Sequence, residues 1–374
     1  MSSALVVLLL TLLLGVQPVA TDLYLPALPA LTQGFGATVA QAQLTLTALL
    51  LSFGVSQLVW GPLSDRFGRK PILVAGMGLF VAASIGAVFA PSMEQLIVWR
   101  TLQGAAMGAA VMCARAVVRD LYAPVEGARM MSKGLSGLGV IACASAPLGG
   151  LLSDLYGWRA ALAALAVFAA ATLALVLWRF QESLPRRNPQ ALQPATLLRT
   201  WVHIARHPTF WAWALLATAT YGGLFTYLAS SSFVLIGVLG LSKTQYGLAM
   251  LTMSLSYIAG TFICRRLLVR VGVRRTVGLA AVLTLTGGTL MGVLPLLGVQ
   301  HLWAVMGPFY LFMMGHGVHQ PCGQSGAVGP FPQAAGAASA LAGFVMMLVA
   351  FGIGGWLGWA LSEPALGAGT VRPL

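Results

Sequence analysis

Apolar runs of membrane-spanning length recur along this chain with only short charged gaps between them, and this pattern restricts its possible folds more than any other feature. About 20 residues, at roughly 1.5 Å each, cross the hydrocarbon core of a bilayer. Runs of that kind, bounded by charges, Pro or Gly, fall at 4–33, 38–60, 71–90, 95–118, 133–153, 158–178, 209–236, 243–263, 276–298, 301–322 and 334–361. Only 8% of the 374 residues are charged while 58% are hydrophobic. Too few polar side chains exist to clothe a soluble globule, so the bilayer is the solvent for most of the chain. The expectation is an all-α membrane protein with 11 transmembrane helices.

The basic residues set its orientation. A balance of 21 Lys and Arg against 8 Asp and Glu, +13 overall, would suggest nucleic acid in a soluble chain, but here the basic groups sit in the gaps between spans, so no nucleic-acid partner is expected. Arg66, Arg69 and Lys70, then Arg119, Arg129 and Lys133, then the arginines of 181–208, then Arg265, Arg266, Arg270, Arg274 and Arg275 fall on one face. The other face has only Arg159, Lys243 and Arg372. The positive-inside rule makes the first face cytoplasmic and places the N-terminus there. Leu5 to Leu14, followed by Val19 and Ala20, resembles a signal-peptide core. Without a basic segment before it, and with further spans after it, it reads as an uncleaved first helix. Cys113, Cys143, Cys264 and Cys322 are far apart in sequence and lack metal-ligand spacing, so they read as packing residues and no metal is expected.

One gap is long. Residues 181–208, with Pro185, Arg186, Arg187, Pro189 and Pro194, form a polar cytoplasmic linker between an N-terminal bundle of six helices, 1–180, and a C-terminal bundle of five, 209–374. GPLSDRFGRK at Gly61–Lys70, after the second span, aligns with RRLLVRVGVR at Arg265–Arg274, after the eighth. Arg66 and Gly68 match Arg270 and Gly272 at a constant offset of 204. Related halves facing one another suit alternating access. No P-loop, nucleophile elbow or HExxH string is present, which leaves ATP-driven pumping and intramembrane proteolysis without support, and neither an enzyme nor a cofactor is expected.

Several strings carry a family resemblance. GPLSDRFGRKP at Gly61–Pro71 resembles the signature loop between the second and third helices of the major facilitator superfamily. TDLYLPALP at Thr21–Pro29, RTLQGAAMGAA at Arg100–Ala110, ARAVVRDLY at Ala114–Tyr122, YGGLFTYLASSSFV at Tyr221–Val234 and AAGAASALAG at Ala334–Gly343 are similar to patterns of its Bcr/CflA drug-resistance branch. The resemblance implies the major facilitator fold and drug:proton antiport. SAPLGG at Ser145–Gly150 departs from it by one residue fewer between Pro and GlyGly, and Ser232 stands where Pro is expected. The family has twelve helices, whereas Ser362–Leu374 is too short and interrupted to span. The twelfth helix is therefore expected to be missing and the C-terminus to lie outside.

Asp22 is the only acidic residue inside any predicted span. A carboxylate there is costly unless paired, hydrated or protonated, so it is the candidate proton-coupling group, with Tyr24 in the same candidate site; the alternative is a structural carboxylate satisfied by neighbouring hydroxyls such as those of Thr21 or Tyr24. Arg100, with Gln103 one turn on, fits the family's arginine of the fourth helix and is the candidate charge that tunes Asp22. Arg115 either snorkels or gates. Gly61, Asp65, Arg66, Gly68, Arg69 and Lys70 form the candidate gating loop. In the fifth span, Gly139, Cys143 and Pro147 beside Ala142, Ala146 and Gly150, with Gly149, make small-residue rows on which helices pack and pivot. Tyr221, Phe225 and Tyr227 are candidate cavity aromatics. His316 and His319 are titratable but lack a third metal ligand. The combined reading is a monomeric, proton-coupled secondary exporter of small, largely apolar or cationic compounds in the bacterial inner membrane, its partners being substrate, protons and lipid. A metabolite or osmolyte carrier of the same fold, a non-transporting scaffold, and a truncated remnant are the alternatives.

Overall fold

The computed structural model describes residues 1–122, 124–184, 187–189, 191–299, 301–331 and 334–362, and among these it is helical almost throughout, with no strand. The first span is α1 (Ser3–Asp22), a 3-10 turn at Leu25–Ala27 and α2 (Leu28–Gly34). Pro26 and Pro29 supply no N–H, so the helix expected to run unbroken over 4–33 is interrupted just after Asp22. There follow α3 (Val39–Phe67), α4 (Arg69–Val88), α5 (Met93–Leu121), α6 (Pro124–Tyr156) and α7 (Trp158–Arg179). The linker itself holds α8 (Pro194–Ala205), and after it come α9 (Pro208–Ser232) with a π turn at Phe233–Val238, α10 (Lys243–Leu296), α11 (Leu302–Val328) and α12 (Ala335–Ser362). The starts are written into the sequence: Thr38 with Gln41 and Ser242 with Gln245 form capping boxes at α3 and α10, and Ser92 caps α5.

Among the described residues, nine apolar helical segments are long enough to cross a membrane. One of them, α10, has 54 residues and would be ~80 Å long if straight, more than two bilayers' worth. It is two spans folded at Gly272, where φ is 75°. With α11, which has 27 residues and no charge, the segments of spanning length number eleven.

Gly68, φ 108°, breaks the chain between α3 and α4 as Gly272 breaks α10. Only glycine adopts such a conformation readily, and each break joins two antiparallel spans by a single residue. The expected loop over Gly61–Pro71 is accordingly mostly helix, because α3 continues to Phe67 and α4 starts at Arg69. The linker needs a similar correction. It carries α8, whose Ile204 is buried with Phe210, Ala327, Phe331 and Ala338, so an apolar contact docks it on the turn between α11 and α12.

In the N-terminal half α1 packs on α6, and α5 on both α3 and α4, while α7 covers the other side of α4. In the other half α11 sits between α9 and α10. The halves join along α3 with α12 and α6 with α10. Their outer surfaces differ. Between two neighbours, α4 buries Ile72, Leu73, Gly76, Met77, Phe80, Ala83, Ser84 and Ala87. The second span of α10 buries one row, Thr276, Ala280, Thr284 and Gly287, and leaves Leu279, Val282 and Leu285 outward, as lipid permits. The expected absent twelfth helix and outside C-terminus fall on 363–374, outside the described residues.

The two glycine turns yield a paired expectation. A Cβ at Gly68 meets the Glu182 carboxylate as well as unfavourable backbone, whereas one at Gly272 meets nothing within 4 Å. Gly272→Ala should cost about 1–3 kcal/mol of stability from backbone strain alone, and Gly68→Ala should cost more. Thermal unfolding in detergent gives the order, and equal losses would contradict it.

Candidate functional site

Asp22 closes α1 at the point where the proline-rich turn bends the first span. Thr21 Oγ1 donates to its Oδ1 at 2.7 Å. Tyr24 does not serve it as expected, because the Tyr24 hydroxyl lies 2.9 Å from Thr45 Oγ1 on α3. Beside Asp22 a small apolar cavity is lined by Thr21 and Leu25, by Leu46 and Leu50 of α3, and by Tyr221, Phe225 and Leu228 of α9. It lies where the two halves meet.

Arg100 is fully buried in α5. One guanidinium nitrogen donates to Gln103 Oε1 at 2.9 Å and another to the Ala20 carbonyl at 2.8 Å, while the Tyr24 ring centroid lies 4.4 Å from Cζ. Gln103 in turn donates to Ser84 Oγ at 2.9 Å, and that hydroxyl donates to the Phe80 carbonyl at 2.7 Å. None of the four ion pairs among the described residues includes Arg100. Its partners are instead neutral acceptors, a π face and the carbonyl end of α1, which favours a cation. Arg100 reads the end of α1 two residues before Asp22. A backbone carbonyl as partner leaves no mark in a sequence.

The aromatic trio divides. Tyr221 and Phe225, four apart, share the cavity. Tyr227, six residues from Tyr221, points about 120° away. It is buried against α11, its ring 3.6 Å from that of Phe309 and nearly parallel, its hydroxyl donating to Met306 Sδ at 3.0 Å. Two polar residues not singled out from the sequence belong near this junction. Gln43 of α3 donates to the Ala229 carbonyl of α9, and the Tyr246 hydroxyl lies 2.9 Å from Ser231 Oγ. An amide inside an apolar run is the signal that would have found Gln43.

At the end of the bundle away from the linker, α6 meets α10. Asp154 accepts from the Thr244 N–H at 2.8 Å and its hydroxyl at 2.6 Å, in the first turn of α10, and Lys243 Nζ donates to the Ser153 carbonyl at 3.0 Å. Gly150 permits this approach, since a methyl group there would run into the carbonyl of Lys243, whereas Gly149 lies against the Leu23 carbonyl of the first span. Pro147 backs onto Gly247. Gly139 has no such neighbour within 4 Å and takes no part in the close packing.

At the linker end, Arg69 is buried, with Asp65 at 2.7 Å, Asp120 at 2.8 Å and Ser64 Oγ at 2.6 Å. Glu182 accepts from the backbone N–H groups of Arg69, Lys70, Ser183 and Leu184 at 2.9–3.1 Å. Partial burial works to raise its pKa, but those four donors outweigh it and hold the carboxyl below the usual glutamate range. Arg119 lies 3.9 Å from Asp65; Arg66 covers the Phe67 ring, and Gly61 lends its carbonyl to Ser64. Arg115 donates to Ser339 Oγ of α12 at 3.0 Å, which puts it at a contact between halves rather than in the headgroup layer.

His316 and His319 are buried in α11, and among the described residues no three His, Cys, Asp or Glu side chains converge on a metal. Cys264 and Cys322, distant in sequence, meet with their sulfurs 3.8 Å apart in a cluster with Ala280 and Val318.

Residues 10–355 match the family model of the Major Facilitator Superfamily, and the chain belongs to that superfamily. It is 30% identical over 337 residues to Multidrug resistance protein D of Escherichia coli (strain K12), covering 90% of this chain and 84% of that protein. It is 29% identical over 321 residues to a chloramphenicol resistance protein of Pseudomonas aeruginosa, covering 86% and 75%. Such relatives agree with the Bcr/CflA type. The fold is similar to that of a bacterial homolog to the human lysosomal transporter Spinster, in its inward-facing and occupied conformation, with a TM-score of 0.76, 15% identity, and 95% and 81% coverage. The chain is a multi-pass membrane carrier and not an enzyme.

Asp154 supplies the testable element of the α6–α10 contact. Asp154→Asn removes the charge from two hydrogen bonds at a helix N-terminus, contacts that charge makes roughly twice as strong. Spin labels at Tyr156 and Leu241 should show a wider, longer distance distribution in Asp154→Asn than in the parent. An unchanged distribution would mean that the glycine packing alone holds this end closed.

Proposed function

We propose that this chain is a proton-coupled secondary exporter of small, largely apolar or cationic drug-like compounds, working by alternating access in a bacterial inner membrane with its N-terminus in the cytoplasm. The observation that carries the reading is Asp22, held by one hydroxyl beside an apolar cavity with an aromatic wall, at the junction of the halves. A carboxylate so placed has few ways to be stable except by taking up a proton or a cation, and the two then compete for one charge. Tyr221 and Phe225 offer apolar and π surface to the rest of a substrate. The multidrug and chloramphenicol resistance named in the relatives' titles supports the substrate class. Orientation rests on the basic residues of the linker face.

The coupling group can be tested directly. Asp22→Asn keeps the shape and the hydrogen bond from Thr21 but cannot cycle a charge. In everted vesicles with an imposed pH gradient, uptake of a cationic dye should fall to background in Asp22→Asn, while the amount of folded protein in the membrane stays that of the parent. Gradient-driven uptake by a well-expressed Asp22→Asn variant would remove Asp22 as the coupling site.

A further inference from the structure

The two halves treat their basic turns differently. Around Gly68, the protein neutralises itself, with Arg69 between Asp65 and Asp120 and Glu182 on the backbone of Arg69 and Lys70. Around Gly272 it has no means to do so, because not one Asp or Glu occurs from Ser183 to Ser362. Yet Arg265, Arg266, Arg270, Arg274 and Arg275 crowd this turn, all of them exposed and none in an ion pair among the described residues. Five like charges on one hairpin lie within about a Debye length of each other, so their repulsion is not screened away.

The surface between the arginines is apolar. Val269 is 89% exposed, and Phe262, 55% exposed, lies below Arg265 with its ring 4.4 Å from the guanidinium carbon. Exposed valine beside exposed arginine is a poor surface for water alone but suits the boundary where headgroups give way to acyl chains. Guanidinium groups pair with phosphate oxygens through two parallel hydrogen bonds, a geometry a phosphodiester can accept and a zwitterionic surface matches only weakly in net charge.

We propose that the Gly272 turn is a docking surface for acidic phospholipid headgroups, whose phosphates supply the negative charge that Asp65, Asp120 and Glu182 supply at the Gly68 turn. A turn that served only to orient the helices during insertion would need the same arginines but would show no preference among lipids once folded. The inference rests on the charge pattern and the membrane setting and is independent of proton coupling or drug export.

The experiment uses the full chain purified in a neutral detergent, titrated with phosphatidylglycerol or with phosphatidylcholine, with bound lipids counted by native mass spectrometry. Phosphatidylglycerol should bind in preference, and the preference should shrink as salt rises. R266Q/R270Q/R274Q should weaken phosphatidylglycerol binding on the order of a hundredfold, while R266K/R270K/R274K retains most of it. Equal binding of the two lipids by the parent, or equal phosphatidylglycerol binding by parent and glutamine variant, would overturn the proposal. So would full competition by inorganic phosphate at the same concentration, which would make this a free-anion site. If the glutamine variant fails to insert, R270Q alone should still show a partial loss, and its absence would count against the proposal in the same way.

Discussion

Hydrocarbon gives no solvation to a charge, and where this chain puts its few charges governs most of what the helices around them can do. Among the described residues two arginines are fully buried, and they are accommodated in opposite ways. Arg69 lies between two carboxylates and a hydroxyl at the end of the bundle. Removing both acids would leave an uncompensated buried cation, which is strongly destabilising. Arg100 lies deep in α5 with only neutral acceptors and an aromatic face. It neutralises no acid, and so leaves the one carboxylate within the first span free to take another partner.

The same economy shapes the contacts between halves. Between them, α3 against α12 and α6 against α10 meet at glycines, with Gly54 and Gly354 against the side chains of Met347 and Thr47 and Gly247 against the Ala146–Pro147 backbone. Toward the ends the contacts turn polar: Asp154 with Thr244 at one, Arg115 with Ser339 at the other. Polar groups at the ends can exchange a protein partner for water at small net cost, whereas those in the middle cannot.

Eleven spans were legible from the chain because a bilayer imposes one long-range rule on every segment, and because Gly, Ser and Thr mark the ends through local chemistry. The failures have one cause in common. The break after Asp22 comes from two prolines within an apolar run, whose hydropathy does not register it. In α8, an amphipathic helix of 12 residues sits inside a stretch whose composition reads as linker, and only the apolar patch on the α11–α12 turn explains why Ile204 is buried there. Tyr227 was grouped with Tyr221 and Phe225 by proximity in sequence, but the helix turns it toward α11. The partner of Arg100 is not legible at all, because carboxylates can be seen in a sequence and the Ala20 carbonyl cannot. Hydropathy reports what a segment is dissolved in, and it carries little about which neighbour a side chain meets.

The separation of Asp22 from Arg100 also bears on how a proton at the first could be felt by the second. Thr21 has one hydroxyl hydrogen and three acceptors in reach, Asp22 Oδ1 at 2.7 Å, the Gln17 carbonyl at 3.1 Å and the Pro18 carbonyl at 3.5 Å. An ionised Asp22 attracts that hydrogen, since a charged acceptor makes the stronger bond. The same hydroxyl also reaches back to the carbonyl of Gln17, so it lies between the carboxylate and the last turn of α1. Ala20, whose carbonyl holds Arg100, lies in that same turn. Asp22 and the seat of Arg100 are thus joined through one turn of backbone, and no salt bridge links them among the described residues.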